Sequence, residues 1–324
     1  MNKYVILTGA NGYLGSYIVR ELLKNGFGII ACKYPHFASV VIDHPMVEYV
    51  DMDITTKADQ QFELLKATKN KEVIGIINAA ALLGSSDYEA NYKVNTQGVI
   101  NMMDFAFNTG IKRFIQISSV VVMKKIKGPY GITKQKGQEL LTASNLDFTV
   151  FIPAMILGPE SLGLNRVLKN VFQLPVIVPL IGTGKETQHP IYVKDFARAI
   201  VISLESEKAV RKVYEIAGDR VLSFREFIRM ILKHYGKKKI FVFVPVFFAS
   251  QLGKIFQKTQ KVPLFTAEHV KGLLQDSKLD TKPLHDDLGF VPTPFKQALS
   301  ESLDIIGMNW NGFLKPRNEK KISM

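Results

Sequence analysis

With 324 residues, 47% of them hydrophobic and 22% charged, the chain has ordinary globular composition and ample length for a large core. Its single cysteine, Cys32, excludes an internal disulfide and a cysteine-rich metal site and fits a reducing compartment. A net charge of +13 raises nucleic acid, an anionic membrane surface and an anionic substrate as partners.

The lysines are spread along the chain, with short clusters at Lys124-Lys125, Lys237-Lys238-Lys239 and Lys320-Lys321. No aromatic-and-basic motif accompanies them, so nucleic acid is not expected as a partner. Residues 4–8 form a short apolar run that reads as a buried first strand, with no signal peptide ahead of it. The stretch Thr8-Gly9-Ala10-Asn11-Gly12-Tyr13-Leu14-Gly15 follows and leads into a helix over residues 13–24. A strand, a glycine-rich turn and a helix in that order make a phosphate cradle. The spacing is Gly-x-x-Gly-x-x-Gly. Gly9 turns the chain, Gly12 sits against a pyrophosphate, and Gly15 lets the helix pack close on the sheet.

Further strands are expected at residues 28–33, 47–50, 73–78, 113–118 and 148–152, with helices at 57–69, 92–108 and 130–143. This alternation predicts an α/β fold, a Rossmann-type doubly wound parallel sheet with a smaller, mostly helical C-terminal substrate lobe. Sites in such sheets lie beyond the carboxyl ends of the strands. The dinucleotide-binding domain is assigned to residues 1–157, with 185–205 returning to it. The lobe takes 158–184 and 206–314, and a polar tail, 315–324, is expected to be disordered. Within the second half, Asp195 is read as the N-cap of a helix over 196–204, and Ser223 as the cap of one over 224–235.

The segment from Ile240 to Leu252 is strongly apolar and follows the lysine cluster at 237–239. It reads either as core of the lobe or as a membrane-facing surface. No apolar run reaches the roughly 20 residues that span a bilayer. The six histidines show no metal-ligand spacing, so no metal is expected, and His189 reads as loop packing near the cleft.

Tyr130 and Lys134 stand four residues apart and share one helix face. An ammonium beside a phenol favours the phenolate, which suits Tyr130 to proton exchange with a substrate oxygen, and Lys134 is also placed to hold a ribose. The same spacing recurs at Tyr235 and Lys239, but only Tyr130 follows the fifth strand at the binding edge. Ser118 and Ser119 end that strand. A serine there either orients a substrate oxygen or simply makes a turn.

These elements resemble the short-chain dehydrogenase/reductase superfamily in its extended and atypical branches, over nearly the whole chain. Thr8–Gly15 is similar to the family's cofactor loop. Asp53-Ile54 resembles the acidic site that touches adenine, and Asn78-Ala79-Ala80-Ala81 the segment lining the cofactor after the fourth strand. Val94-Asn95 resembles the Val-Asn of the next helix. Ser119, Tyr130 and Lys134 match the catalytic set, Ser119 better than Ser118. The stretch from Pro153 through Ile156 to Pro159 resembles the segment beside the nicotinamide. Leu180–Gly184 followed by Pro190–Asp195 is similar to sugar-nucleotide epimerase-like members and also to the NADPH-binding accessory subunit of respiratory complex I, and Gly289–Pro292 resembles the family's C-terminal closing motif.

The resemblance implies cofactor contacts from Gly9, Asn11, Gly12, Tyr13, Leu14, Gly15, Lys33, Asp53, Ile54, Ala79, Ala80, Ala81, Asn95, Lys134, Pro153 and Ile156. The second strand ends Ala31-Cys32-Lys33-Tyr34 without an acid, and Lys33 suits a 2′-phosphate, so NADP is favoured over NAD. The expected function is NAD(P)-dependent hydride transfer at a secondary alcohol or ketone carbon of a sugar-nucleotide-like or lipophilic small molecule. The alternative is a non-catalytic NADPH-binding scaffold of a membrane-associated complex. A cytoplasmic location, with peripheral membrane contact and a homodimer as options, completes the expectation.

Overall fold

The computed structural model describes residues 2–35, 40–55, 57–249, 251 and 275–307. Strands β1 (Lys3–Thr8), β2 (Gly28–Lys33), β3 (Val47–Asp51), β4 (Glu72–Asn78), β5 (Arg113–Ile117) and β6 (Asp147–Pro153) alternate with helices. Those helices are α1 (Tyr13–Lys24), α2 (Lys57–Thr68), α3 (Tyr88–Tyr92), α4 (Gly98–Thr109) and α5 (Gly128–Thr142). The strands join a later one, β11 (Lys212–Ile216), in a seven-stranded sheet of order β11-β6-β5-β4-β1-β2-β3. All its pairings are parallel.

Why these segments become central strands is visible in their side chains. β5 reads Arg-Phe-Ile-Gln-Ile and is buried throughout, because helices cover both faces of a parallel sheet. One face packs under α1 and α7 (Val193–Leu204) around Val5, Leu7, Ile29, Phe151 and Phe196. The other packs under α4 and α5 around Ile6, Ile30, Ile76, Met102 and Phe114. Strand order reverses between β1 and β4, so their carboxyl ends, Thr8 and Asn78, border the crevice where ligands enter such sheets.

The lobe is built from β7 (Ile156–Leu157), α6 (Leu162–Phe172), β8 (Ile177–Ile181), β9 (Thr187–Gln188) and β10 (Ile191–Tyr192). After α7 and β11 come β12 (Leu222–Ser223), α8 (Phe224–His234) and β13 (Ile240–Val244). The last two helices are α9 (Lys282–Leu288) and α10 (Phe295–Ile306). Leu164, Leu168, Phe227, Ile231, Phe295 and Leu299 form its core. Three small ladders, β7 with β10, β9 with β12 and β8 with β13, sew its segments together.

The structure corrects several sequence-based boundaries. β11 belongs to the main sheet, although residues 206–314 were expected in the lobe; its alternation seats Tyr214 and Ile216 in the core beside β6. The helix expected at 92–108 is a short α3, a π-turn at Lys93–Gln97 and then α4. Asp195 is not an N-cap: α7 starts at Val193, and the Asp195 carboxylate sits in its first turn. There it accepts from the Thr293 N–H at 2.7 Å and its hydroxyl at 2.9 Å, tying the chain ahead of α10 to the sheet domain. Ser223 does cap α8, accepting the Glu226 N–H at 3.1 Å. The expected tail at 315–324 lies outside the described residues.

Candidate active site

The glycine loop is built as a cradle. Gly9 has φ +66°, and a Cβ on it would lie 3.0 Å from the Ala80 backbone, so only glycine lets the β1 turn approach the segment after β4. A Cβ on Gly15 would lie 2.1 Å from the Gly9 carbonyl, which fixes the close packing of α1 on the turn. A Cβ on Gly12 would meet only the Gly9 carbonyl, at 3.1 Å, and otherwise open space. No side chain caps α1, so its first N–H groups and its positive dipole end remain available to an anion. This geometry fits a dinucleotide pyrophosphate.

Buried hydrogen bonds hold the neighbouring strand ends in register. Thr8 donates to Asn78 and accepts the Ala80 N–H at 3.2 Å. Asn78 donates to Gln116 at 2.9 Å, and Gln116 donates to the Ile117 carbonyl at 2.9 Å. The composition of β5 hid Gln116 from sequence reasoning; a polar side chain inside an apolar strand was the only signal.

Ser119 follows β5 and caps a 3-10 turn, accepting the Val121 N–H at 3.4 Å. Its hydroxyl lies near enough to the Tyr130 phenol to favour the phenolate. Burial pushes that phenol up to about 12, and the nearby Ser119 hydroxyl opposes the rise. Lys134 is buried, 3% exposed, and donates to the Ile117 carbonyl; burial pulls its ammonium down to about 8. The Lys134 ammonium is directed at that backbone carbonyl, and burial moves both groups away from their ordinary values. Ser118, the other serine, donates to Gln138 at 2.6 Å on the buried side of α5.

Several residues expected to touch a cofactor serve the frame. Asn11 donates to the Tyr34 carbonyl at 3.1 Å and accepts its N–H at 3.3 Å, pinning the end of β2. Asn95 is fully buried and accepts the Leu82 N–H at 3.0 Å, so it positions the segment that follows Ala79, Ala80 and Ala81. The Tyr13 ring packs edge-on against Tyr17 at 5.6 Å, and its buried hydroxyl has no partner among the described residues. It fills the space that the missing side chain of Gly158 leaves, 2.0 Å from where a Cβ would be. Ile54 buries its side chain against Gly98, and Asp53 accepts the Thr55 N–H at 2.9 Å. Leu14 packs between the sheet and lobe cores, Pro153 ends β6, and Ile156 pairs with β10 opposite Ile191. Lys33 forms an ion pair with Asp51 at 3.0 Å across the β2–β3 ladder.

His189 links two loops. Its Nδ1 accepts the Leu279 N–H at 3.2 Å, leaving Nε2–H to donate to the Gly218 carbonyl at 2.9 Å. The 3-10 turn after Ser119 is tied to the same strap, because Lys124 donates to the Gln275 carbonyl at 2.9 Å and to the Ser277 hydroxyl at 2.7 Å.

Known proteins are similar to this chain in sequence or in fold. A 3beta-hydroxysteroid-dehydrogenase/decarboxylase isoform of Arabidopsis thaliana is 23% identical, over 93% of this chain and 62% of its own length. A mitochondrial NADH dehydrogenase [ubiquinone] 1 alpha subcomplex subunit 9 from Dictyostelium discoideum is 23% identical, over 96% of this chain and 87% of that one. The crystal structure of the UDP-glucose 4-epimerase of Thermotoga maritima superposes with a TM-score of 0.72 at 19% identity, covering 92% of this chain and 97% of that one, and so shares the fold. The sequence profile of the NAD dependent epimerase/dehydratase family matches residues 5–217, spanning the cradle, the Ser119–Tyr130–Lys134 group and the sheet. The chain belongs to the NAD dependent epimerase/dehydratase family.

Proposed function

We propose that the protein catalyses nicotinamide-dependent oxidation or reduction at a carbon bearing a hydroxyl or a ketone. The observation that carries this reading is the placement of Ser119, Tyr130 and the buried Lys134 beyond the end of β5, on the sheet edge that also holds the glycine cradle. A bound nicotinamide supplies hydride donation and acceptance. Ser119 orients the substrate oxygen by hydrogen bonding, and Tyr130 moves the proton on that oxygen. Lys134, anchored on the Ile117 carbonyl, positions the C-terminal end of β5 and holds the cofactor ribose.

Of the two forms of the cofactor, NADP is favoured. Lys33 ends β2, a strand end that itself carries no acid, and Asp51 of the neighbouring β3 shares its ammonium at 3.0 Å. The substrate is a small molecule with a secondary alcohol or ketone, sugar-nucleotide-like or lipophilic. Release of the ketone makes the reaction a dehydrogenation, and its return after reorientation makes it an epimerisation.

The experiment is turnover of purified protein with NAD or NADP, followed by nicotinamide absorbance and product analysis. The panel comprises sugar nucleotides, sterols and simple secondary alcohols and ketones. Turnover that Tyr130→Phe abolishes supports the reading. Tight cofactor binding without turnover on any member would instead support the scaffold reading, in which the domain only stabilises an assembly.

A further inference from the structure

We propose that the face formed by β13 and residues 246–249 docks the protein on an anionic lipid bilayer. The sequence left the apolar segment 240–252 open between core and membrane surface. The structure leaves most of its described side chains outside the core. Among the described residues β13 pairs only with β8, placing Ile240 beside Ile177. Ile240 is 64% exposed, and Val242 and Phe243 are exposed with it, while Phe241 packs on the lobe core. In residues 246–249 the two phenylalanines, Phe247 at 66% and Phe248 at 61%, stand out into solvent with ring centroids 5.7 Å apart. Only Ala249 of this stretch turns inward. Val176, whose carbonyl accepts the Ile240 N–H at 3.0 Å, extends the exposed apolar surface onto the start of β8.

A soluble protein rarely leaves so many large apolar side chains together in water, and such a patch marks an interaction surface. Charge selects the occupant. Lys237 and Lys238 lie exposed one turn of chain before the patch, and Lys239 is fixed at its border, donating to the Val171 and Leu174 carbonyls. Arg225 stands over the Phe243 ring at 4.8 Å, and Arg229 over Phe241 at 5.6 Å. Residues 237–249 and 170–180 contain no Asp or Glu. Aromatic and aliphatic side chains rimmed by cations match the chemistry of an interface with anionic headgroups above acyl chains. Among the described residues no helix is long and apolar enough to cross a membrane, so the contact is peripheral. The whole-chain charge of +13 has the same sign and draws the protein to such a surface.

The test is co-flotation of the full-length protein with vesicles of phosphatidylcholine alone and of phosphatidylcholine with phosphatidylglycerol. The expected result is recovery on the phosphatidylglycerol vesicles, decreasing as salt rises, and little on the neutral ones. F247S/F248S should lower that recovery by about tenfold or more, since two inserted rings are lost. Lys237→Glu with Lys238→Glu, a pair of exposed sites that leaves the apolar face intact, should lower it as well. Unchanged thermal unfolding and cofactor binding in each variant would show that the fold survives. No flotation on anionic vesicles, or flotation that neither double variant weakens, overturns the proposal. So does sedimentation showing a dimer that F247S/F248S dissociates, because a second copy would then be the occupant.

Discussion

Lys134 donates its ammonium proton to the carbonyl of Ile117, the last residue of β5 and two positions ahead of Ser119. Gln116 donates to the same carbonyl, so one backbone oxygen gathers the α5 lysine and the buried Thr8–Asn78–Gln116 chain. The glycine cradle and the Ser119–Tyr130 pair are thereby held in one frame.

Burial of that lysine has a pH signature. The folded value of about 8 lies below the ordinary 10.5, so between those values the unfolded chain binds a proton that the folded one does not. Stability from this group rises with pH across that window, and its penalty is fully present below it. Relative to Lys134→Met, the wild type should gain about 3 kcal/mol between pH 8 and 10.5 in cofactor-free denaturant unfolding. A constant difference would show that the ammonium is not desolvated.

Tyr130 is protonated at neutral pH, since burial holds its phenol near 12. Reduction, in which the phenol gives a proton, should be flat on the acid side of the Lys134 value of about 8. Oxidation needs the phenolate, and its kcat/KM should climb with pH over the same range. Tyr130→Phe should cost about 10²–10⁴-fold in kcat with cofactor affinity retained, and Ser119→Ala a smaller loss. Steady-state profiles in both directions decide it.

Cofactor choice turns on Lys33 and Asp51, joined at 3.0 Å. Asp51→Asn frees the ammonium and should raise the NADP-to-NAD preference several-fold, whereas Lys33→Asp should reverse it. Calorimetric affinities for both nucleotides are the measurement, and equal ratios in both variants would remove Lys33 from the phosphate site.

The glycines divide by what surrounds them. Gly15→Ala should prevent folding, because its methyl would lie 2.1 Å from the Gly9 carbonyl and 2.9 Å from the Ala10 Cα. Gly12→Ala meets one atom at 3.1 Å and faces the open cradle. It should fold with nearly native stability and lose about tenfold or more in nucleotide affinity, because its methyl occupies the pyrophosphate approach.

His189 predicts an acid limit. Burial lowers its pKa below the ordinary 6.5, and the neutral ring is needed to accept the Leu279 N–H. Its contribution is present above 6.5 and is lost as pH falls through the folded value. The melting temperature of the wild type should therefore drop more steeply below pH 6.5 than that of His189→Gln, whose amide has both a donor and an acceptor.

The sequence alone determined the first six strands of the sheet and the glycine turn, because both rest on local rules, whereas the place of β11 came from the structure. Buried parallel strands are continuous apolar runs, and a tight turn between strand and helix calls for glycines such as Gly9 and Gly15. It also marked Tyr130 and Lys134, which spacing left level with Tyr235 and Lys239 and which chain position, after the fifth strand, preferred. Tertiary structure shows what the second pair does instead. Tyr235 donates to the Leu303 carbonyl at 3.1 Å and Lys239 to the Val171 and Leu174 carbonyls, far along the chain from the strand ends. The frame roles of Asn11, Asn95 and Gln116 were equally hidden, since their partners lie 23, 13 and 38 residues away. So was the exposure of Phe247 and Phe248. An apolar run reports only that its side chains prefer to leave water, and the packing of distant segments decides whether the protein itself gives them a place to go.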